Sequence, residues 1–363
     1  MGKEPAWYFQ MTDDKGIFIQ NIYCMLAYAY QVLRQTNYEK IKGEEFENIY
    51  DLFSAILSKG VAQLLKQGLY RTYQSKSESL PVMRGKVNIP GTIRNKLRHR
   101  MELFCEYDEL SEDNDFNRVI KTALLGLVRL HSVSKENKTA LRKILPYFSS
   151  VAVIDPALIK WNTLYCHRNN QNYRMLIDIC RFVLDGLLLS TDPGAHKMAQ
   201  FSDEHMERLY ERFILEYYRH HYNYLHPRAA QVQWNLDEGR LESLPIMQTD
   251  ITLEHEPKTL IIDAKYYSHT MQTQFNKQTF HSGNLYQIFT YVKNQDKNKT
   301  GNVSGMLLYA KTQESVTLDC NFILSGNKFT VKTLDLNQPF SEIKSQLDMI
   351  ITDTFGYVSK IIK

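Results

Sequence analysis

The sequence predicts a chain of the α/β (α+β) class in two parts. Residues 1–195 read as a mainly helical N-terminal region with a small β element, and residues 196–363 as an α/β domain with a mixed central sheet. Three observations predict this. Apolar residues recur at helical spacing through most of the first half. Past residue 203 the pattern changes to helix, three strands, helix, strand. Between them lies LSTDPGAHKMAQFSD (189–203), where Pro193 and Gly194 interrupt flanking helical patterns. A length of 363 residues suits two ordinary domains.

Taken in order, NIYCMLAYAYQVLRQ (21–35) has helical spacing, with Asn21 as a cap candidate. IYDLFSAILSKGVAQLLKQGLY (49–70) is a second helix, ended by Gly68. LYRTYQ, VMRGKVNI and MELFCEYDEL read as short strands. The Asp/Asn-rich start of DNDFNRVIKTALLGLVRLH (113–131) suits a helix N-terminus. More helix is expected near 135–145, 173–190 and 204–222. Strands follow at about 230–236, 246–253 and 259–267, a helix at 283–295, a strand at 303–310 and further strands over 316–335. Short links between the early strands predict antiparallel pairing, and the helix before 303–310 permits a parallel crossover.

Composition narrows the function classes. Apolar residues at 43% and charged residues at 23% fit a globular chain and argue against global disorder. No apolar run approaches a membrane span, and the N-terminus lacks a signal-peptide core. Five scattered cysteines without CxxC or zinc spacing argue against a disulfide framework or structural zinc, so a cytoplasmic location is expected. The net charge of +4 identifies no partner by itself. TIRNKLRHR (92–100) reads equally as a phosphate-contacting patch or a solvated face. No GxxxxGK[ST] pattern is present, so nucleotide hydrolysis by a P-loop is not expected.

The chemistry concentrates in PIMQTDITL and TLIIDAKYY, which flank EHEPK. A turn between Glu256 and Pro257 pairs Asp250 with Asp263 across an antiparallel hairpin, in the absence of a bulge. Alternation puts Ile251, Leu253, Leu260, Ile262, Ala264 and Tyr266 on one apolar face. Gln248, Asp250, Thr252, Asp263 and Lys265 share the other. Opposed carboxylates need neutralising, and magnesium, a hard cation with oxygen ligands, does so. A metal-bound water is acidic enough to give hydroxide near neutral pH, which can attack a phosphodiester, with Lys265 orienting it or offsetting charge. Alone, an Asp-x-Lys on a strand is more often a solvent-facing ion pair. The Asp thirteen residues earlier on the same face shifts the balance toward hydrolysis.

Asp250 followed by Asp263-x-Lys265 resembles the PD-(D/E)xK nuclease motif, with Thr249 where the motif has proline. NIYCMLAYAY, RGKVNI, NRVIKTAL, LPIMQTDITL, LIIDAKYY and FHSGNLYQIFTYV occur in order, and together they resemble the McrC family. These are nuclease subunits of McrBC modified-cytosine restriction systems. The resemblance runs from about residue 17 to the last strands. It implies that the second part is a restriction-endonuclease-like domain. Asp250, Asp263 and the Ala264 carbonyl would bind Mg2+, with Lys265 as the catalytic lysine. The preceding helix would add Glu211, with Glu216 as the alternative. Gln287, four residues from Tyr291 on one helix face, would lie near the metal, and His281 would contact phosphate. Packing in the core is the competing role for Tyr291, and a loop residue without function the competing role for His281.

The family also implies partners. These are double-stranded DNA carrying modified cytosine and a hexameric McrB-like AAA+ GTPase, which would consume the GTP. VMRGKVNI and TIRNKLRHR are the candidate contacts of an N-terminal motor-binding region. Two other readings stay open: a non-catalytic adaptor that activates the ring, and a nuclease of this fold acting alone in DNA repair or RNA processing. An intact Asp250, Asp263 and Lys265 disfavours the first, and the N-terminal blocks disfavour the second.

Overall fold

The computed structural model describes residues 13–14, 17–30, 46, 48–166, 171–190, 195–236, 238–239, 241–266, 272–274, 277–279, 282–311 and 318–356. His281 lies outside them. The helices are α1 (Ile19–Ala29), α2 (Ile49–Gln67), α3 (Ile89–Leu97), α4 (Asp115–Arg129), α5 (Lys135–Ile144), α6 (Gln171–Ser190), α7 (Ala195–His221), α8 (Ser282–Gln295) and α9 (Phe340–Phe355). The first strands are β1 (Asp13–Asp14), β2 (Ile17–Phe18), β3 (Thr72–Leu80), β4 (Lys86–Val87) and β5 (Leu103–Ser111). Next come β6 (Gln231–Val232), β7 (Met247–Gln248), β8 (Ile251–His255) and β9 (Lys258–Lys265). The last are β10 (Gln272–Gln274), β11 (Lys277–Thr279), β12 (Val303–Lys311), β13 (Asp319–Leu324) and β14 (Asn327–Asp335).

The chain divides into two compact units: residues 53–192, and residues 1–52 together with 193–363. The second unit begins again at Pro193. The first 52 residues, expected within the N-terminal part (1–195), group instead with the C-terminal part. The reason is the apolar face of α1, which packs on α7, with Tyr28 edge-on to Phe213 at 5.7 Å. Asn21 is not the cap of α1, because the helix starts at Ile19. Its buried Nδ2 donates to the Leu336 and Gln338 carbonyls, each at 2.8 Å.

In the unit of residues 53–192, α2 ends as expected before Gly68, whose φ of 86° favours glycine. Asn114 caps α4 by accepting the Asn117 N–H. The sheet order is β3-β5-β4. Only Lys86–Val87 of VMRGKVNI is strand, and TIRNKLRHR starts inside α3. The side chain of Asn88 accepts the Gly91 N–H and starts that helix.

The other unit is built on a five-stranded sheet of order β13-β14-β12-β9-β8. β8 and β13 run antiparallel to their neighbours, while β9, β12 and β14 are mutually parallel. α8 lies in the connection between β9 and β12 and covers the sheet through Ile288, Tyr291 and Val292. Gly305 permits this close approach: a Cβ there would sit 2.9 Å from Ile288, Val292 and Phe329 side-chain atoms. α7 covers β9 from its own side, with the Tyr210 and Tyr266 rings 6.5 Å apart.

Candidate active site

β8 and β9 pair in the expected register, from Ile251 opposite Ile262 to His255 opposite Lys258. Continuing that register by one residue would set Asp250 opposite Asp263. β8 has ended there, so the Ala264 N–H has no ladder partner on that side. The Asp250 Oδ2 accepts it instead, at 2.9 Å. The face that carries Asp263 and Lys265 is covered as well as the apolar one. Ile261 belongs to the same buried cluster as Ile288 and Val292, and Asp263 is only 1% exposed. β9 is an inner strand covered on both faces, which explains the unbroken Leu260-Ile261-Ile262 run.

The Lys265 Nζ lies 3.1 Å from Asp263 Oδ1 and 4.0 Å from Asp250 Oδ2. Burial pushes the Asp263 carboxyl up to about 7, with the Lys265 ammonium pulling down and Asp250 adding to the rise. Burial also raises Asp250, opposed by Lys265 and the Ala264 N–H. Burial works against the Lys265 ammonium, but the Asp263 and Asp250 charges outweigh it and hold the group charged.

α7 brings Glu211 into this electrostatic neighbourhood. Burial, followed by repulsion from Asp250, pushes its carboxyl up to about 8, with Lys265 pulling down. Glu216 is engaged elsewhere, with Arg219 at 2.7 Å. Of the two glutamates the sequence left open, Glu211 carries the shift to which Asp250 and Lys265 contribute, while Glu216 pairs with Arg219. Gln287 donates to the Tyr291 hydroxyl at 2.9 Å and has no hydrogen bond to Asp250, Asp263 or Lys265. Tyr291 is itself buried in the core.

Among the described residues, no three His, Cys, Asp or Glu side chains gather closely enough to hold a metal by themselves. The donor set nevertheless fits a hard cation. Neither buried Asp263 oxygen accepts a well-formed hydrogen bond, and the Lys265 ammonium beside Oδ1 is an ion contact only. Magnesium binds through one or two carboxylates and keeps several waters, so two facing acids suffice.

Thr249 stands where the nuclease motif has proline. Thr249 is buried, its N–H donates to the Ala230 carbonyl at 2.9 Å, and its Oγ1 accepts the Ala230 N–H at 3.0 Å. No spacing rule links positions 230 and 249, so the sequence carried no signal for this contact.

A mixed-sheet α/β domain with two acids and a lysine gathered at the end of an inner strand is nuclease-like. The chain belongs to the family described as McrBC 5-methylcytosine restriction system component, whose model matches residues 10–310. It is 28% identical over 340 residues to the type IV methyl-directed restriction enzyme EcoKMcrBC of Escherichia coli (strain K12), covering 91% of this chain and 95% of that one. Its fold is similar to a chain in the solved assembly of Thermococcus gammatolerans McrB AAA+ hexamers with bound McrC. That match has a TM-score of 0.51 and 16% identity, and covers 93% of this chain and 76% of that chain. No helix among the described residues is long and apolar enough to cross a membrane.

Proposed function

We propose that this chain is the magnesium-dependent DNA endonuclease subunit of a GTP-driven McrBC-type complex. It cuts double-stranded DNA carrying modified cytosine and stimulates the GTPase of an AAA+ partner. The observation that carries the catalytic part is the juxtaposition of Asp250, Asp263 and Lys265 around the Ala264 N–H.

Asp250, Asp263 and the Ala264 carbonyl would hold the magnesium. When bound, the ion acidifies a coordinated water and offsets phosphate charge. The protein's own groups do the rest. The Lys265 ammonium, held charged between two acids, orients the attacking water and offsets the negative charge that builds on the phosphate oxygens. Ala264 fixes the Asp250 carboxylate through its N–H. Glu211 adds a third acid from α7, and Gln287, steadied by Tyr291, contributes a polar side chain from α8.

The partner is proposed from family membership, from the solved McrB–McrC assembly, and from the absence of a P-loop in this chain. A surface of matching character is present. α3 exposes Ile89, Ile93 and Leu97 at four-residue spacing, with Arg94, Lys96 and Arg98 interleaved. An apolar ridge edged with cations suits a protein partner better than solvent.

The test combines this chain, its AAA+ partner, GTP, magnesium and DNA with methylated cytosine. Cutting is expected, and loss of cutting in Asp263→Ala and Lys265→Ala with ring assembly intact. Cutting unchanged by both substitutions sinks the catalytic assignment. GTPase stimulation with no cutting makes the chain an adaptor instead.

A further inference from the structure

The strand that delivers Asp250 is bulged. β6 and β7 pair Gln231 with Gln248 and Val232 with Met247. Further along the same edge, Arg228 pairs with Thr252, each N–H donating to the other's carbonyl, at 3.1 and 2.8 Å. Between these rungs one strand has two residues, Ala229 and Ala230. The other has three: Thr249, Asp250 and Ile251. One residue is therefore extra on the acid-bearing strand. A β-bulge of this kind bends its strand, leaves one residue unpaired and re-aims its side chain.

A bulge also leaves ladder groups without partners, and here a side chain supplies them. Thr249 Oγ1 accepts the Ala230 N–H at 3.0 Å, lies 3.2 Å from the Ala230 carbonyl, and contacts Thr252 Oγ1 at 2.8 Å. Thr249 and Thr252 are both 2% exposed, so water does not substitute. Asp250 follows directly, turned out of the ladder and toward the Ala264 N–H.

We infer that Thr249 is the positioning residue of this site: its hydroxyl pins the bulge that aims Asp250 at Asp263. The inference rests on the metal-binding reading above. Where the motif has a proline, which stiffens the backbone through its ring, this chain uses a buried hydroxyl clamp. Supporting groups of this kind commonly change metal affinity about 10–100-fold when removed.

The experiment titrates Mn2+ into the full-length protein, without DNA or partner, and reads free Mn2+ by electron paramagnetic resonance. Asp263→Ala is the control for the site itself. If it binds Mn2+ like the unaltered protein, the metal reading fails and this inference with it. If binding is lost there, Thr249→Val, which keeps the shape and removes the hydroxyl, is expected to weaken Mn2+ binding about tenfold. Thr249→Ser is expected to stay within about twofold of the unaltered protein, a rescue that general destabilisation would not produce. Unchanged binding in Thr249→Val, or equal loss in both variants, overturns the clamp and leaves the metal site standing. Should Thr249→Val not fold, Thr252→Val is read in its place. It removes only the contact to the Thr249 hydroxyl and leaves the Ala230 contacts, so it is expected to weaken binding about threefold, below the range of about 10–100-fold for losing a supporting group outright. Unchanged binding there overturns the clamp.

Discussion

The Ala264 N–H donates to the Asp250 Oδ2 at 2.9 Å, so the acid that precedes β8 completes the backbone bonding of β9. One carboxylate therefore has two duties, ending a ladder and facing Asp263. Asp250→Asn separates them, because an amide oxygen still accepts from Ala264 while the charge is gone. Cutting is expected to fall by about 10² or more, while thermal stability changes by less than about 1 kcal/mol. A large stability loss in Asp250→Asn would show that the charge, not the bond, holds the strand end.

Asp263 gives the metal-free protein a pH dependence of definite sign. Its folded pKa of about 7 lies above the ordinary carboxyl range. The folded state thus holds a proton that the unfolded state has released above about pH 4. This stability is complete below the unfolded pKa and is lost as pH rises through about 7. The melting temperature without metal should fall across that window, and Asp263→Asn should flatten the fall. A rise in stability over the same window contradicts the burial argument.

Glu211 and Glu216 should behave differently although only five residues separate them. Glu211 is raised by burial and by Asp250, whereas Glu216 is paired with Arg219. Glu211→Gln is expected to slow cutting by about tenfold or more, and Glu216→Gln by less than about twofold. Equal effects would remove Glu211 from the site.

Asp296 fixes the turn between α8 and β12. It accepts from Thr300 N and Oγ1, Gly301 N and Asn327 Nδ2, each between 2.8 and 2.9 Å. Burial opposes ionisation, but these donors outweigh it and hold the carboxyl down at about 2. The stabilisation is present above the unfolded pKa and is lost as pH falls through about 4 toward 2, amounting to about 2 kcal/mol. Asp296→Ala should cost at least that much at pH 7 in denaturant unfolding, and the difference should shrink as pH falls through about 2.

Asn21 tests the assignment of the N-terminal segment. If its role is to bridge α1 to the Leu336 and Gln338 carbonyls, Asn21→Ala should cost about 1–3 kcal/mol. Hydrogen exchange should then quicken around residues 333–340 as well as in α1. Faster exchange confined to α1 would indicate a purely local effect.

Local patterns, by themselves, determined most helices of the first half, though not α3, the stop at Gly68, the Asp/Asn-rich start of α4 and the register of the β8–β9 hairpin. These follow from spacing along one chain: periods of two and 3.6, and a turn that sets its own register. The acid pair and its lysine were legible because a charged triplet stands out in an apolar run. Only the tertiary structure decided the rest. It placed residues 1–52 with the C-terminal unit, turned Asn21 from a cap into a bridge, buried both faces of β9, and paired Glu216 with Arg219. It also set Thr249 against Ala230 across a bulge. Each of these depends on which remote segment covers a given face. Packing and hydrogen bonding between residues far apart in the chain leave no periodic trace in a single sequence.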